Sequence, residues 1–204
     1  SLIITVGSLI LVLILSLGAG FVLGRYSFKG NSLVFGFILT GMLVPAKLAI
    51  LPLFIQLKWM NLLDSRIGLI LVYTSAALPA AIFIMSGFFK SLPTDLDNAA
   101  RIDGASEVAL LSKVLVPLVR PGMAIVGIYS AIPIWNDFFL PLVFLQSPEK
   151  KTLMQGLTVF FGQYASQWGV LFAGLCLAAL PLVVLYLILS EQFIKGLTAG
   201  AVKG

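Results

Sequence analysis

Five long apolar segments, separated by shorter polar stretches, dominate the pattern of this chain. They cover residues 2–23, 33–57, 67–89, 121–144 and 168–190. A membrane-spanning helix needs about 20 predominantly apolar residues. Lipid requires each backbone polar group to be satisfied within its own segment, which favours helices, and the segments do not alternate with the period of a barrel strand. The pattern predicts an all-α, polytopic helical membrane protein with five spans.

The composition indicates that most of the protein surface faces lipid and not water. The 204 residues are 60% hydrophobic and only 10% charged, with a mean hydropathy of +1.09, whereas ordinary soluble domains are about 25% charged. The net charge of +5 does not indicate nucleic acid, because the basic residues lie mostly at the ends of apolar runs, where they anchor and orient spans.

The distribution of basic residues predicts the orientation of the spans. On one side of a five-span path lie eight of them, namely Arg25, Lys29, Lys90, Arg101, Lys113, Arg120, Lys195 and Lys203. On the other side lie four, namely Lys58, Arg66, Lys150 and Lys151. Loops rich in Lys and Arg stay in the cytoplasm, so the carboxyl terminus is expected to be cytoplasmic.

Catalytic and metal chemistry are not expected in this chain. It has one cysteine, Cys176, inside an apolar run, and no histidine. An intramembrane enzyme would need a nucleophile with a base or a set of metal ligands, and neither is present in the pattern. A glycine loop that would hold phosphates is also missing, so the sequence predicts no catalytic residue, no metal and no cofactor.

The polar stretch at residues 91–120, which we call the island, is charged and helix-forming. Thr94 to Asp97 resembles a capping box that opens a short helix. Gly104 can supply the positive φ that ends this helix, and Ser106 can cap a second one. The island is therefore predicted to be a helix, a tight turn and a second helix. It is expected to lie in water, where a soluble partner can bind it.

Two charges, Lys47 and Asp137, lie well inside the predicted spans. At about 1.5 Å of rise per residue, Lys47 lies about 22 Å and Asp137 about 24 Å from the inner ends of their spans. Intramembrane charges are costly and usually face the bundle interior or a water-filled cavity. Three arrangements stay open: an ion pair, separate charges that line a pathway, or a Lys47 side chain that extends outward to the interface.

The island also resembles a known signature, the cytoplasmic loop of ABC importer permeases. The matching positions are Ala99, Ala100, Asp103, Gly104, Ala105, Pro117 and Pro121. In the maltose-type carbohydrate-uptake branch of that family, a Trp-Asn-Asp segment is similar to residues 134–138, and the carboxyl terminus is similar to residues 196–204. The resemblance covers nearly the whole chain and is stronger after Gly87.

This resemblance implies a type I ABC importer permease fold with six spans in the full protein, five of them here, and one permease domain over residues 1–204. It implies a multi-pass protein of a bacterial or archaeal cell membrane. The implied partners are a second permease subunit, two ATP-binding cassette subunits that bind ATP and Mg, an extracellular solute-binding protein and a sugar. The residues that would dock to an ATPase are Asn98, Ala99, Ala100, Asp103, Gly104 and Ala105.

Asn98 departs from the family pattern, which has glutamate there. A carboxylate makes charge-assisted hydrogen bonds roughly twice as strong as neutral ones, so we expect weaker docking through Asn98 or a transfer of the acidic role to Asp97 or Asp95.

The pathway through the membrane is expected to involve Lys47, Tyr129, Trp135, Asn136 and Asp137. Tyr129, Trp135 and Asn136 could meet sugar hydroxyls by hydrogen bonds and ring contact, although both aromatic residues could equally serve in packing. A permease of the same architecture for a polyol or glycerol phosphate is the alternative.

The outer loop at residues 146–167 is long and contains Phe160, Phe161 and Tyr164. It is expected either to face the binding protein or to form an interfacial aromatic belt.

Overall fold

The computed structural model describes residues 1–44, 46–158 and 168–201, and the regular secondary structure of these residues is helical throughout. In chain order the helices are α1 (Leu2–Arg25), α2 (Asn31–Thr40), α3 (Ile50–Trp59), α4 (Arg66–Ser91), α5 (Asp95–Ile102), α6 (Glu107–Ala109), α7 (Val116–Leu118), α8 (Arg120–Asn136), α9 (Phe139–Phe144), α10 (Leu153–Leu157) and α11 (Trp168–Ala201). Shorter elements are 3₁₀ turns at Gly41–Leu43, Ala46–Ala49 and Pro148–Lys150 and a π-helical stretch at Leu110–Leu115.

Three described helices are long and apolar enough to cross a membrane: α1, α4 and the Trp168–Ile188 part of α11. The number rises to five if two bent pairs each count as one span. One pair is α2 with α3, and in the other Glu107–Leu118 meets α8 at 76°. The prediction of an all-α, polytopic helical protein is confirmed.

Two of the predicted spans are divided rather than continuous. Residues 33–57 form α2 and α3 with 3₁₀ turns between them, and residues 121–144 form α8 and α9. Val44 is extended, at φ −86° and ψ 111°, because a residue before proline is disfavoured in the α region. Asp137 is extended as well, with ψ 128°. Both breaks fall beside the intramembrane charges, which hydropathy alone does not reveal.

Close packing of α1 on α4 forms the centre of the molecule. A Cβ built on Gly20 would lie 2.8 Å from Met85 Cβ, and one on Gly24 would lie 2.9 Å from Phe89 Cβ. Such contacts exclude a side chain and let the two backbones approach. Gly18, also in α1, has no such role, since a Cβ there would meet nothing within 4 Å.

The core has two parts, one toward each end of the bundle. The first combines α1, α4 and α8 with the island, through the buried residues Val12, Phe21, Ala81, Met85, Phe89, Ala100, Leu110, Leu115, Val119 and Val126. The second lies toward the opposite end of α4 and includes Ile4, Leu57, Leu69, Val72, Tyr73, Ile134, Leu140, Phe144 and Leu145. The island therefore belongs to the packed bundle and is not a loose loop.

Asp64 joins two loops at the end of the bundle far from the island. It adopts a positive φ of 53° and accepts hydrogen bonds from the backbone of Gln146 and Ser147, at 2.8 and 3.0 Å. Lys150 Nζ lies 2.8 Å from Asp64 Oδ2. The hydrogen bond from Lys150, followed by those from Ser147, lowers the pKa of the Asp64 carboxyl well below its usual range.

We expect Asp64→Asn to lower the melting temperature of the purified protein at pH 7. Asparagine tolerates the positive φ, so the change removes mainly the charge. Because the folded-state pKa is lowered, the stabilisation is present above the unfolded pKa of about 3.9 and is lost as pH falls through the folded value. The difference between variant and wild type should therefore shrink in acid. Glu149→Gln, in the same loop, is the control, and an equal gap at all pH values would contradict this account.

Candidate functional site: the helical island and the polar cavity

The turn of the island forms as the sequence predicts. Gly104 has a φ of 75°, and its N–H donates to Arg101 O at 3.1 Å while the N–H of Ala105 donates to Ala100 O at 2.9 Å. This pair of bonds is a Schellman motif, which ends α5. Ser106 Oγ then accepts from the N–H of Ala109 at 3.3 Å and caps α6.

The predicted capping box at Thr94 is wrong. Thr94 precedes α5 but has a helical φ and ψ, and its side chain makes no capping hydrogen bond in the described structure. Asp97, whose carboxylate would have completed the box, is bonded instead to Arg25. The carboxylate is thus engaged by a residue 72 positions away, which a local pattern cannot show.

Arg25, the last residue of α1, fastens the island to the bundle, and we call this arrangement the Arg25 clamp. Its Nη2 and Nε lie 2.5 and 2.9 Å from the two carboxylate oxygens of Asp97. Its remaining N–H groups donate to the carbonyls of Phe89, Leu92 and Pro93, at 3.1, 2.7 and 2.9 Å. All five guanidinium donors are used. The two charged side chains are only 3% and 8% exposed.

A second, exposed contact lies beside the Arg25 clamp. Tyr26 donates its hydroxyl hydrogen bond to Glu107, and Arg101 Nε lies 3.0 Å from Glu107 Oε1. The hydrogen bond from Arg101, followed by that from Tyr26, lowers the pKa of the Glu107 carboxyl. Exposed ion pairs contribute little to the free energy of unfolding. This contact therefore supplements the clamp and does not replace it.

The predicted docking residues fall on two sides of the island. Asn98, Ala99, Asp103 and Gly104 are exposed. Ala100, in contrast, is 8% exposed and belongs to the core, and Ala105 is half-buried and packs against it. For these two alanines the structure corrects the expectation of an accessible surface: they hold the island in place.

Two apolar side chains on the island's exposed side were missed by the sequence reading. Ile102 is 86% exposed and Val108 is 76% exposed. Ile102 follows Asn98 by four positions and therefore lies on the same helical face. The sequence feature that could have identified this surface is Ile102, a large apolar residue at the end of a short, charged helix. Exposed apolar residues on a polar element indicate a contact surface when they cluster.

A cavity of about 430 Å³ lies between α4, α8 and the two helix breaks. Its polar lining consists of Lys47, Tyr73, Tyr129, Ser130, Asn136 and Asp137. Four of the five predicted pathway residues are therefore brought together. The fifth, Trp135, does not line the cavity, since it is 5% exposed and its Nε1 donates to Ala178 O of α11 at 2.8 Å. Of the two roles considered for Trp135, the structure supports packing and not the pathway.

Asp137 is held in place by two hydrogen bonds. The hydroxyl of Tyr73 donates to Oδ2 at 2.9 Å, and the backbone N–H of Phe139 donates to Oδ1 at 2.9 Å. Lys47 Nζ lies 5.7 Å from the centroid of the Phe139 ring. The ion pairs of the described residues are Arg25–Asp97, Arg101–Glu107 and Lys150–Asp64. Lys47 and Asp137 thus line one cavity as separate charges.

Comparison with known proteins adds a family match. Residues 16–197 match the family described as binding-protein-dependent transport system inner membrane component. The diacetylchitobiose uptake system permease protein NgcG of Streptomyces coelicolor is 37% identical over 202 residues, which are 98% of this chain and 67% of that protein. The sulfoquinovosyl glycerol transport system permease protein SmoH of Agrobacterium fabrum is 37% identical over 95% of this chain and 68% of its own length.

A crystal structure of a bacterial ABC transporter involved in the import of the acidic polysaccharide alginate contains a chain with the same fold. It aligns with a TM-score of 0.79 and 24% identity, over 93% of this chain and 71% of that chain.

We expect Arg25→Met to destabilise the protein by about 3–5 kcal/mol, because it leaves the buried Asp97 carboxylate without its partner. Asp97→Asn, which can still accept hydrogen bonds, should cost less. The measurement is unfolding of the purified protein in a denaturant. Arg101→Met is the matched control, since its exposed pair is worth about 0–1 kcal/mol. Equal losses for Arg25→Met and Arg101→Met would show that the clamp does not hold the bundle together.

Proposed function

Since this chain belongs to the family of binding-protein-dependent transport system inner membrane components, we propose that it forms half of the translocation pathway of an ATP-driven carbohydrate importer. Residues 1–204 act as one permease domain. ATP and Mg are bound by two partner ATP-binding cassette subunits, and a second permease subunit completes the pathway. The sugar class is supported by the names of the relatives, which favour it over the polyol alternative.

The observation that carries this proposal is the island, a short helical unit fixed to three helices with one side left open. Asn98, Ala99, Asp103 and Gly104 are exposed on it, and so are Ile102 and Val108. An apolar centre with polar surroundings is the usual composition of a protein–protein contact. We assign this surface to one ATPase subunit.

The Arg25 clamp supports a direct mechanical route from the ATPase to the spans. When ATP closes the ATPase pair, the docked island moves with its subunit. The clamp passes this motion to the ends of α1 and α4, because Arg25 bonds Asp97 of the island and the carbonyl of Phe89. Leu115 and Val119, both fully buried, pass it to α8. The pathway then alternates between inward and outward access as the packed helices shift.

The membrane orientation follows the asymmetry of the basic residues, with the island and the carboxyl terminus in the cytoplasm. The opposite face, with the Asp64–Lys150 contact, then meets the solute-binding protein outside a bacterial or archaeal cell membrane. Phe160, Phe161 and Tyr164, named for the same contact, lie outside the described residues.

The cavity is assigned to the solute pathway. It is lined by Lys47, Tyr129, Asn136 and Asp137, and both charges lie at breaks between helices. Transporters place substrate sites where spans are discontinuous, because freed backbone groups and helix ends can face the solute there.

We expect Ile102→Asp to reduce recovery of the ATPase subunit with the purified permease by at least about tenfold. The substitution places a charge in the apolar centre of the proposed contact, and such central positions carry most of the binding energy. Ile102→Leu is the matched control and should behave as wild type. Because Ile102 is exposed, neither change should unfold the permease, which thermal denaturation of the isolated subunit checks.

If the Ile102→Asp permease recovered the ATPase subunit normally and transported normally, this surface would not be the docking site. A wild-type complex whose ATPase activity is not stimulated by any solute-loaded binding protein would contradict the importer function itself.

A further inference from the structure

A second cavity, of about 620 Å³, lies at the end of the bundle that carries the island. It is formed where α1 ends and α2 begins, with Lys90 of α4 on one side, and we call it the α2 cavity. Its volume is within the range of about 300–1,000 Å³ that is usual for small-molecule sites. Its lining shares no residue with the cavity that contains Lys47 and Asp137. The α2 cavity is therefore separate from the proposed solute pathway.

An aromatic ring holds the ammonium group of Lys90 at the α2 cavity. Lys90 Nζ lies 4.9 Å from the centroid of the Phe35 ring. Phe35, on α2, is itself stacked on Phe83 of α4, with 6.3 Å between the ring centroids. A contact with a ring face fixes the position of a cation but does not neutralise its charge. The three N–H donors of this ammonium can therefore still bind an anion.

The lining of the α2 cavity carries positive charge, and its described residues include no carboxylate. Of its two basic residues, Arg25 is neutralised by Asp97. Lys90 takes part in none of the ion pairs of the described residues, which are Arg25–Asp97, Arg101–Glu107 and Lys150–Asp64. Lys29 is exposed in the loop that borders the cavity. A concave site with one sign of charge attracts ligands of the opposite sign.

Neutral hydrogen-bond donors at the α2 cavity add to the charge of the lysine. The hydroxyls of Ser27 and Ser32 belong to the lining. Gly30, with a φ of 93°, precedes α2 and supplies no side-chain cap. Among the described residues, no acceptor is recorded for the N–H groups of Ser32 and Leu33. Such N–H groups at the start of a helix suit phosphate oxygens, and here they supplement the lysine.

Exposed apolar side chains continue from the α2 cavity along α2, which indicates a lipid and not a soluble anion. Leu33 is on the lining and is 80% exposed. Phe37, one turn further on the same helical face, is 79% exposed, and Phe28 of the lining is 43% exposed. None of the ten residues of α2 is buried. The acyl chains of a phospholipid would cover this surface, whereas a free phosphate would leave it open.

We propose that the α2 cavity binds the headgroup of an anionic phospholipid, with the acyl chains along the exposed face of α2. Lys90 and the start of α2 bond the phosphate, and the serine hydroxyls bond the polar headgroup. The inference rests on the cytoplasmic placement of this end under the proposed function, since anionic lipids give the cytoplasmic leaflet its negative surface. Because the site contains residues of α1, α2 and α4, the lipid holds these three helices together beside the Arg25 clamp.

The test measures lipid binding by native mass spectrometry of the complete importer, purified in detergent with its partner subunits. The probes are phosphatidylglycerol and phosphatidylcholine with the same acyl chains, and inorganic phosphate as a competitor. The wild type should bind phosphatidylglycerol more tightly than phosphatidylcholine, because the choline group carries a positive charge that Lys90 and Lys29 repel. Inorganic phosphate should not displace the lipid, since it has no acyl chains to cover the apolar face.

Four variants locate the lipid. Lys90→Gln should weaken phosphatidylglycerol binding about fivefold or more, since one basic residue beside anionic lipid accounts for roughly that factor. Lys90→Arg, which keeps the charge, should retain most of the affinity, and Leu33→Ala should weaken binding by a smaller factor. Lys113→Gln is the matched control, because it removes an exposed lysine of the island outside the lining, and it should leave binding unchanged. Recovery of the partner subunits with each variant confirms assembly.

Three outcomes would overturn the proposal. Equal losses for Lys90→Gln and Lys113→Gln would show a general attraction of basic residues and no defined site. Displacement of the lipid by inorganic phosphate would assign the cavity to a soluble anion. A wild-type complex without preference for phosphatidylglycerol would show that another subunit covers the cavity or that it stays empty. The assay does not use transport, so its failure is distinguished from failure of the importer function, which stimulation of the ATPase by loaded binding protein reports.

Discussion

The constraint on which the rest of the structure depends is the burial of one guanidinium group. Arg25 lies at the end of α1, almost fully enclosed, and a charge in that position is tolerable only if its donors are all satisfied. Two hydrogen bonds go to Asp97 and three to carbonyls at the end of α4 and just beyond it. The geometry of the island relative to the spans is therefore fixed by hydrogen bonds to one side chain and not by the connecting loop alone.

This arrangement requires that α1 and α4 approach closely along their length. Gly20 and Gly24 provide the approach, since a side chain at either position would overlap Met85 or Phe89. Phe89 contributes in two ways: its ring packs against Phe21 and its carbonyl accepts from Arg25. Small residues, aromatic packing and the buried ion pair thus support one another, and together they make α1, α4 and the island a single packed unit.

The sequence predicts the features that depend on neighbouring residues and misses those that depend on distant ones. The turn at Gly104 and the cap at Ser106 are local and were predicted, and the apolar runs gave the helical membrane fold. The Arg25–Asp97 pair joins residues 72 positions apart. Because the Asp97 carboxylate bonds Arg25, it does not complete the capping box that the local pattern at Thr94 predicts. Lys47 and Asp137 were identified as intramembrane charges, but their meeting at one cavity as separate charges depends on tertiary packing.

The island and the cavity share two helices, and in the proposed importer this sharing connects the docking surface with the solute pathway. α4 carries Phe89 at the Arg25 clamp and Tyr73 at the cavity, while α8 begins beside Val119 in the island's core and ends beside Asp137. The seventeen residues of α8 span about 26 Å, so a tilt at one end displaces the other. The hydrogen bond from Tyr73 to Asp137 joins the two helices at the cavity. A shift of α4 against α8 must therefore stretch or break this bond, which changes the orientation of the carboxylate. In the proposed importer, this bond is where movement of the island would reach the cavity.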